Sequence, residues 1–232
     1  MGKKTVGILG GMGPLATANL FEKIILHTDA QIDQEHLHIV IDNNTSVPDR
    51  TKAILHGGEN PLPYLKESIG RLVTAGAELI LIPCNTSHYF YDDLCAISPI
   101  PILNMISLTR EEMTAKGIKR AALLATDATV QTGVYQNVFD GSGIELLTPD
   151  ANGQKEVMRI IYDGVKAGAS DFDTAALRCA LDAMLAQGCE IFILGCTELP
   201  LAFTQYHLDY PVEDPTLALA LGAICAAGGK TK

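Results

Sequence analysis

Leu79-Ile80-Leu81-Ile82-Pro83-Cys84-Asn85-Thr86 and Ile191-Phe192-Ile193-Leu194-Gly195-Cys196-Thr197 are the two stretches from which the architecture is read. Each is a short apolar run rich in Ile and Leu, followed by a cysteine and, within two residues, a threonine. Short continuous apolar runs are the mark of strands buried in a parallel sheet. Each cysteine therefore stands where a strand leaves the sheet, the edge at which open α/β sheets receive ligands. The two lie close to half a chain length apart. Two thiols from two equivalent places suggest one reaction centre approached from both sides. That geometry removes a proton from one face of a carbon and returns it to the other.

Around these runs, strands and helices alternate. Strands are expected at Thr5–Leu9, Leu37–Asp42, Leu79–Pro83, Arg120–Ala125, Ile144–Leu147 and Ile191–Leu194. Helices are expected at Pro14–Thr28, Pro63–Ala75, Ser87–Ala96, Leu108–Lys116, Val130–Phe139, Gln154–Ala167, Asp173–Gln187 and Pro215–Ala227. Such alternation implies parallel sheets covered by helices. A helix-Gly-strand-Cys-Thr pattern occurs from Ala75-Gly76 to Thr86 and again from Gln187-Gly188 to Thr197, so the chain reads as weakly duplicated.

The 232 residues suffice for one or two compact domains. Hydrophobic content of 47% and charged content of 19% are ordinary for a globular protein. No apolar stretch reaches the roughly 18–20 residues of a membrane span. The N-terminus runs straight into a strand without a signal-peptide pattern, so the expected location is cytoplasmic. A net charge of −10 argues against nucleic acid or an anionic membrane as partner, since both need a basic surface. The six cysteines form no CxxC pair, which disfavours a zinc site, and no metal is expected. Cys95, Cys179, Cys189 and Cys225 read as small structural hydrophobes.

Gly11-x-Gly13-x-x-Ala16 follows the first strand and resembles a relaxed dinucleotide fingerprint. The acid expected about 20 residues further on is missing, because Asp42 at the end of the second strand is too far. Pro14 also removes an amide from the helix start. The preferred reading is a tight turn whose amides face a small carboxylate. Asp42-Asn43-Asn44-Thr45-Ser46-Val47-Pro48-Asp49-Arg50 is a polar loop leaving the same sheet edge as Cys84. Arg50 has the fork geometry to hold a carboxylate; by itself it reads rather as a surface arginine paired with Asp49. Cys84-Asn85-Thr86-Ser87-His88 is expected at a helix start, with His88 orienting the loop rather than ionising.

These motifs resemble those of the PLP-independent aspartate/glutamate racemase superfamily, specifically its aspartate racemase branch. The resemblance covers essentially the whole chain. It is carried by Gly10-Gly11-Met12-Gly13-Pro14 with Ala16-Thr17-Ala18, by Asn43-Asn44 with Pro48-Asp49-Arg50, and by Pro83-Cys84-Asn85-Thr86-x-His88. Leu124-Ala125-Thr126-x-x-Thr129, Gly164-Val165-Lys166-Ala167-Gly168 and Gly195-Cys196-Thr197-Glu198 complete it. Ser87 stands where the branch usually has Ala, and Asp127-Ala128 where a Thr-Gly pair is common. An acid at 127 would weaken an anion site if it faced inward. Glutamate racemases usually carry a His where this chain has Glu198.

The resemblance implies two similar α/β lobes, each a mostly parallel sheet flanked by helices, related by a pseudo-two-fold, with the active site between them. The first would take 1–100 plus 211–232 and carry Cys84; the second would take 101–210 and carry Cys196. Catalysis would be two-base proton transfer by Cys84 and Cys196. Asn85, Thr86 and Thr197 would hold the α-carboxylate of aspartate, and Arg50 and Lys166 its side-chain carboxylate. Met12, Asn44, Ser87 and Thr126 would complete the substrate site. The resemblance implies no cofactor and a homodimer. Rival readings are a glutamate or broad-specificity racemase or a dicarboxylate isomerase of the same superfamily, a nicotinamide-dependent enzyme, and a non-catalytic two-lobed binding protein.

Overall fold

The computed structural model describes residues 2–232. The chain divides into two compact units. One comprises the chain up to Leu108 with Thr216–Lys232, and the other is Thr109–Pro215.

The first unit opens with β1 (Val6–Gly10), α1 (Pro14–His27) and β2 (Ile39–Asn43), followed by α2 (Arg50–Leu55), α3 (Leu62–Thr74) and β3 (Leu79–Leu81). A 3-10 turn (Thr86–Phe90), α4 (Tyr91–Ile97) and the start of α5 (Met105–Ala115) complete this run. The sheet has the order β2-β1-β3, all parallel, with Val6 paired to both Ile39 and Leu79. Because strand side chains alternate between faces, Val6, Ile8, Leu79 and Leu81 pack to one side against Leu20 and Ile24 of α1. Leu9, Ile80 and Ile82 pack to the other, against Leu65, Ile69 and Leu72 of α3. A strand buried on both faces needs apolar residues throughout, which is why these runs do not alternate with polar ones.

The second unit runs through β4 (Arg120–Leu124), α6 (Asp127–Gln131), α7 (Val134–Phe139), β5 (Glu145–Leu147) and α8 (Ala151–Arg159). A π-helix (Ile160–Lys166), α9 (Ala175–Ala186), β6 (Ile191–Leu194), α10 (Leu199–Gln205) and β7 (Val212–Glu213) follow. The last helix, α11 (Pro215–Ala226), places Leu219, Ala223 and Ile224 in the core of the first unit. The second sheet has the order β5-β4-β6-β7, again parallel throughout. Its first three strands repeat the order of the first sheet. Phe192 and Leu194 meet Val157, Ile160, Ile161, Leu177 and Leu181 on its helical side.

The expected α/β class of two parallel sheets flanked by helices is what the chain adopts. Several local expectations are corrected. The helix expected at Val130–Phe139 is two helices, broken where Gly133 takes the left-handed conformation with φ 67°. The helix expected at Gln154–Ala167 starts earlier, at Ala151, because the Asp150 carboxylate caps it by accepting from the Gly153 N–H at 2.8 Å. It then passes directly into the π-helix. The helix expected from Ser87 begins as a 3-10 turn without a side-chain cap. The segments forming α2, α10 and β7 are too short to show a period in the sequence. Cys95, Cys179 and Cys225 are exposed rather than buried; of the four cysteines read as structural, Cys189 alone is in the core, and all six are free. No helix among the described residues is long and apolar enough to cross a membrane.

Candidate active site

In the first unit, the residues after β1, β2 and β3 come together at the carboxyl edge of the sheet. The glycine turn is shaped by packing. Gly11 has φ 93°, and a Cβ there would meet the Asn44 backbone at 2.4 Å, so only glycine fits. The Gly11 N–H donates to Thr17 Oγ1 at 2.9 Å, and Thr17 Oγ1 donates to the Gly13 carbonyl at 3.0 Å. The turn is thus closed on itself through Thr17, and the Gly11 amide does not face a carboxylate as the sequence suggested. Asn44 ties its loop to α3, donating through Nδ2 to Ser68 Oγ at 3.0 Å and accepting from the Ser46 N–H at 3.1 Å.

Arg50 starts α2 and is 8% exposed, so the surface-arginine reading is corrected. Its Nη1 donates to the carbonyls of Pro48 (2.9 Å) and Val47 (3.3 Å), and its Nη2 to that of Met12 (3.2 Å). These three carbonyls fix the orientation of the fork. The Asp49 carboxylate caps α2 by accepting from the Lys52 N–H. Met12, itself buried, receives the Ser87 hydroxyl on its sulfur at 3.3 Å. Cys84, 5% exposed, packs in the same cluster as Met12 and Val47. Asn85, Thr86 and Ser87 beside it are buried too. Met12, Arg50, Cys84 and Ser87 are therefore one assembly, and Asn44 joins it through the Gly11 turn.

His88 organises the segment. Its Nε2 accepts from the Met105 N–H at 3.1 Å, and its Nδ1 lies 3.0 Å from the Cys84 carbonyl. One nitrogen must accept and the other donate, so the ring is a neutral Nδ1–H tautomer. Burial pushes its pKa down to about 4. His88 holds the Cys84 loop to the start of α5 and carries no charge near neutrality.

In the second unit, Cys196 follows β6 as Cys84 follows β3. Gly195 is required there: a Cβ would stand 2.6 Å from Leu123 Cδ1 and 3.2 Å from the Leu124 carbonyl. Cys196 is 6% exposed and donates from Sγ to Glu198 Oε2 at 2.9 Å. Glu198, 4% exposed, also receives the Thr197 hydroxyl at 3.4 Å. Lys166, the last residue of the π-helix, places Nζ 3.9 Å from Glu198 Oε1 and 4.6 Å from the centre of the Tyr162 ring. Burial, then the Glu198 charge, drive the Cys196 pKa well above the ordinary thiol value, with Lys166 opposing. Thr126 caps α6, its hydroxyl accepting from the Thr129 N–H. Asp127 next to it is turned aside: its Oδ1 accepts from Gln154 Nε2 at 2.8 Å, and the same Nε2 donates to the Ala125 carbonyl at 3.0 Å.

The second unit thus brings Cys196, Thr197 and Lys166 around Glu198, while Thr126 and Asp127 stand at the end of β4. The sequence reading noted Glu198 only as a departure from another branch and missed it as a partner of the thiol. The available signal was a carboxylate two residues after a cysteine, a spacing at which a tight turn folds one side chain onto the other. Among the described residues no group of three or more His, Cys, Asp or Glu side chains is gathered for a metal ion.

A model of the Asp/Glu/hydantoin racemase family matches residues 9–222. Among solved structures, the aspartate racemase of Picrophilus torridus superposes with a TM-score of 0.86 at 32% identity, covering 99% of this chain and 96% of that one. An aspartate racemase homologue from Pyrococcus horikoshii superposes with a TM-score of 0.75 at 26% identity, over 97% and 99% of the two chains. The broad specificity amino-acid racemase RacX of Bacillus subtilis is 27% identical, over 94% of this chain and 96% of its own length.

Proposed function

The chain belongs to the Asp/Glu/hydantoin racemase family, and from that premise we propose that it interconverts L- and D-aspartate by two-base proton transfer between Cys84 and Cys196. The observation that carries the reading is the repeated placement of a buried free cysteine just past β3 and just past β6, each strand the neighbour of its sheet's first strand. Racemisation needs one group to take the α-hydrogen and a different group to supply a proton on the opposite face. A thiolate at one cysteine and a thiol at the other meet that need, and the reverse reaction exchanges the roles.

The α-hydrogen of an amino acid is far less acidic than a thiol. The carbanion must therefore be stabilised by fixed dipoles in a site poor in water. Asn85, Thr86 and Thr197, all buried beside the two cysteines, hold the α-carboxylate in this reading. Arg50 and Lys166 hold the side-chain carboxylate. Support for Arg50 comes from its burial and its bonds to three neutral carbonyls, which orient a forked cation in advance. The net charge of −10 gives local cations their importance, since a dianion approaches this protein against repulsion. The likeness to RacX favours a second reading, in which one site racemises several amino acids.

Incubation with L-aspartate in deuterated water, followed by chiral analysis and mass spectrometry, tests the proposal. Formation of D-aspartate carrying one deuterium at Cα is expected. A panel of glutamate, alanine, other amino acids and maleate separates the readings: comparable turnover across the panel favours the broad reading, and no turnover of any amino acid overturns both.

A further inference from the structure

Building on the two-thiol racemase reading, we propose that Glu198 is a positioning residue that keeps Cys196 in its proton-donating form, with Lys166 tempering that hold. The resting chain is then asymmetric, with Cys196 as the acid. Glu198 accepts the Cys196 Sγ–H at 2.9 Å. Its other oxygen lies 3.9 Å from Lys166 Nζ, at the end of a π-helix, a local irregularity frequent at functional sites. A carboxylate buried to this degree is not there by default, because burial without partners is costly.

Charge explains the direction. When Cys196 gives its proton to Cα, its sulfur becomes a thiolate 2.9 Å from a carboxylate, and two anions at that separation disfavour each other. Lys166 offsets part of this repulsion. Tyr135 on α7 also faces Cys196, as well as Asp214 and Glu213. Its own pKa is pushed up, chiefly by burial, so it stays neutral and adds no second anion beside Cys196. The pKa of Cys196 is displaced upward by the same surroundings.

A kinetic consequence follows. The enantiomer whose α-hydrogen is taken by Cys196 requires Cys196 as thiolate, the disfavoured form. The two enantiomers have equal free energy, so kcat/KM must be the same in both directions. The asymmetry therefore resides in KM and kcat separately, the disfavoured enantiomer having the higher values of both.

The test reads the thiol directly. Alkylation of Cys196 by iodoacetamide is followed by peptide mass spectrometry across pH; its midpoint reports ionisation, whereas access alters only the plateau rate. Glu198→Gln keeps the shape and removes the charge, and should lower the midpoint by at least one pH unit, a tenfold or greater gain in thiolate at neutral pH. Glu198→Asp should restore much of the shift. Lys166→Met should move the midpoint the opposite way. In Glu198→Gln the KM values of the two enantiomers should also draw together. An unchanged midpoint in Glu198→Gln, or movement of both charge variants in the same direction, overturns the proposal. If Glu198→Gln does not fold, the Lys166→Met midpoint decides alone, and no rise there overturns it. Midpoints that shift as expected in a chain that racemises nothing would uphold the Glu198 contact and sink the racemase reading instead.

Discussion

Cys84 and Cys196 differ in their immediate chemistry although they occupy corresponding places in their sheets. Cys196 has a carboxylate at 2.9 Å, whereas Cys84 packs with Met12 and Val47. Each nevertheless supplies one face of the proposed reaction, so Cys84→Ala and Cys196→Ala should each abolish racemisation while leaving circular dichroism and the unfolding transition near wild type. Retention of more than about a tenth of wild-type turnover by either, a loss under about 1.4 kcal/mol, would rule out the two-thiol mechanism. Arg50 demands a different measurement, because it is also structural. Truncation leaves the Met12, Val47 and Pro48 carbonyls without their donor, at about 1–3 kcal/mol for each that stays buried. Absolute rates would therefore fall for reasons unrelated to substrate. The ratio of aspartate to alanine turnover isolates recognition: Arg50→Ala should lower it about ten- to a hundredfold, the effect of losing one charge-assisted hydrogen bond. Arg50→Lys should recover it only partly, since an ammonium cannot grip two oxygens at once. Equal loss on both substrates would show that Arg50 does not read the side-chain carboxylate.

At the scale of elements, two irregular pieces, the 3-10 turn Thr86–Phe90 and the π-helix Ile160–Lys166, each carry a proposed site residue. The first is held by His88, which connects the Cys84 carbonyl to the Met105 amide. This link has a pH signature. The unfolded chain protonates His88 near the ordinary value of 6.5, whereas the folded chain resists until about 4. The stabilisation is thus complete above pH 6.5 and is withdrawn as pH falls from 6.5 toward 4, by at most about 3 kcal/mol. Urea midpoints measured from pH 7 to 4.5 should show this decline, and His88→Gln should flatten it. An equal slope in the variant would mean that His88 is not the group responsible. Both irregular elements were read from sequence as parts of ordinary helices. A 3-10 turn and a π-helix keep helical composition and differ from an α-helix only in which carbonyl each amide reaches. That choice is made by packing and by links such as the one His88 makes to the Met105 amide, 17 positions along the chain.

For the whole molecule, the proposed chemistry draws on side chains of the chain alone. Racemisation should therefore survive exhaustive dialysis against a chelator and hydroxylamine, measured by the rate of D-aspartate formation before and after. Activity lost on dialysis and restored by a single cofactor would replace the thiol mechanism. What the sequence determined by itself is the class of fold and the two cysteine motifs, because continuous apolar runs such as Leu79–Leu81 and Ile191–Leu194 are stable only inside a covered parallel sheet. Residues next to such runs inherit their position from the strand, so Cys84 and Cys196 are placed by local pattern. Tertiary structure decided the rest. It buried Arg50 against the Met12 carbonyl of another loop, turned Asp127 toward Gln154, closed the Gly11 amide on Thr17, and set Lys166 beside Glu198. Except for the short Gly11–Thr17 link, these contacts join groups from about 30 to nearly 40 positions apart. Their partners are chosen by how helices pack on the sheets and by the cost of leaving a buried polar group unpaired, neither of which is written in any short stretch of residues.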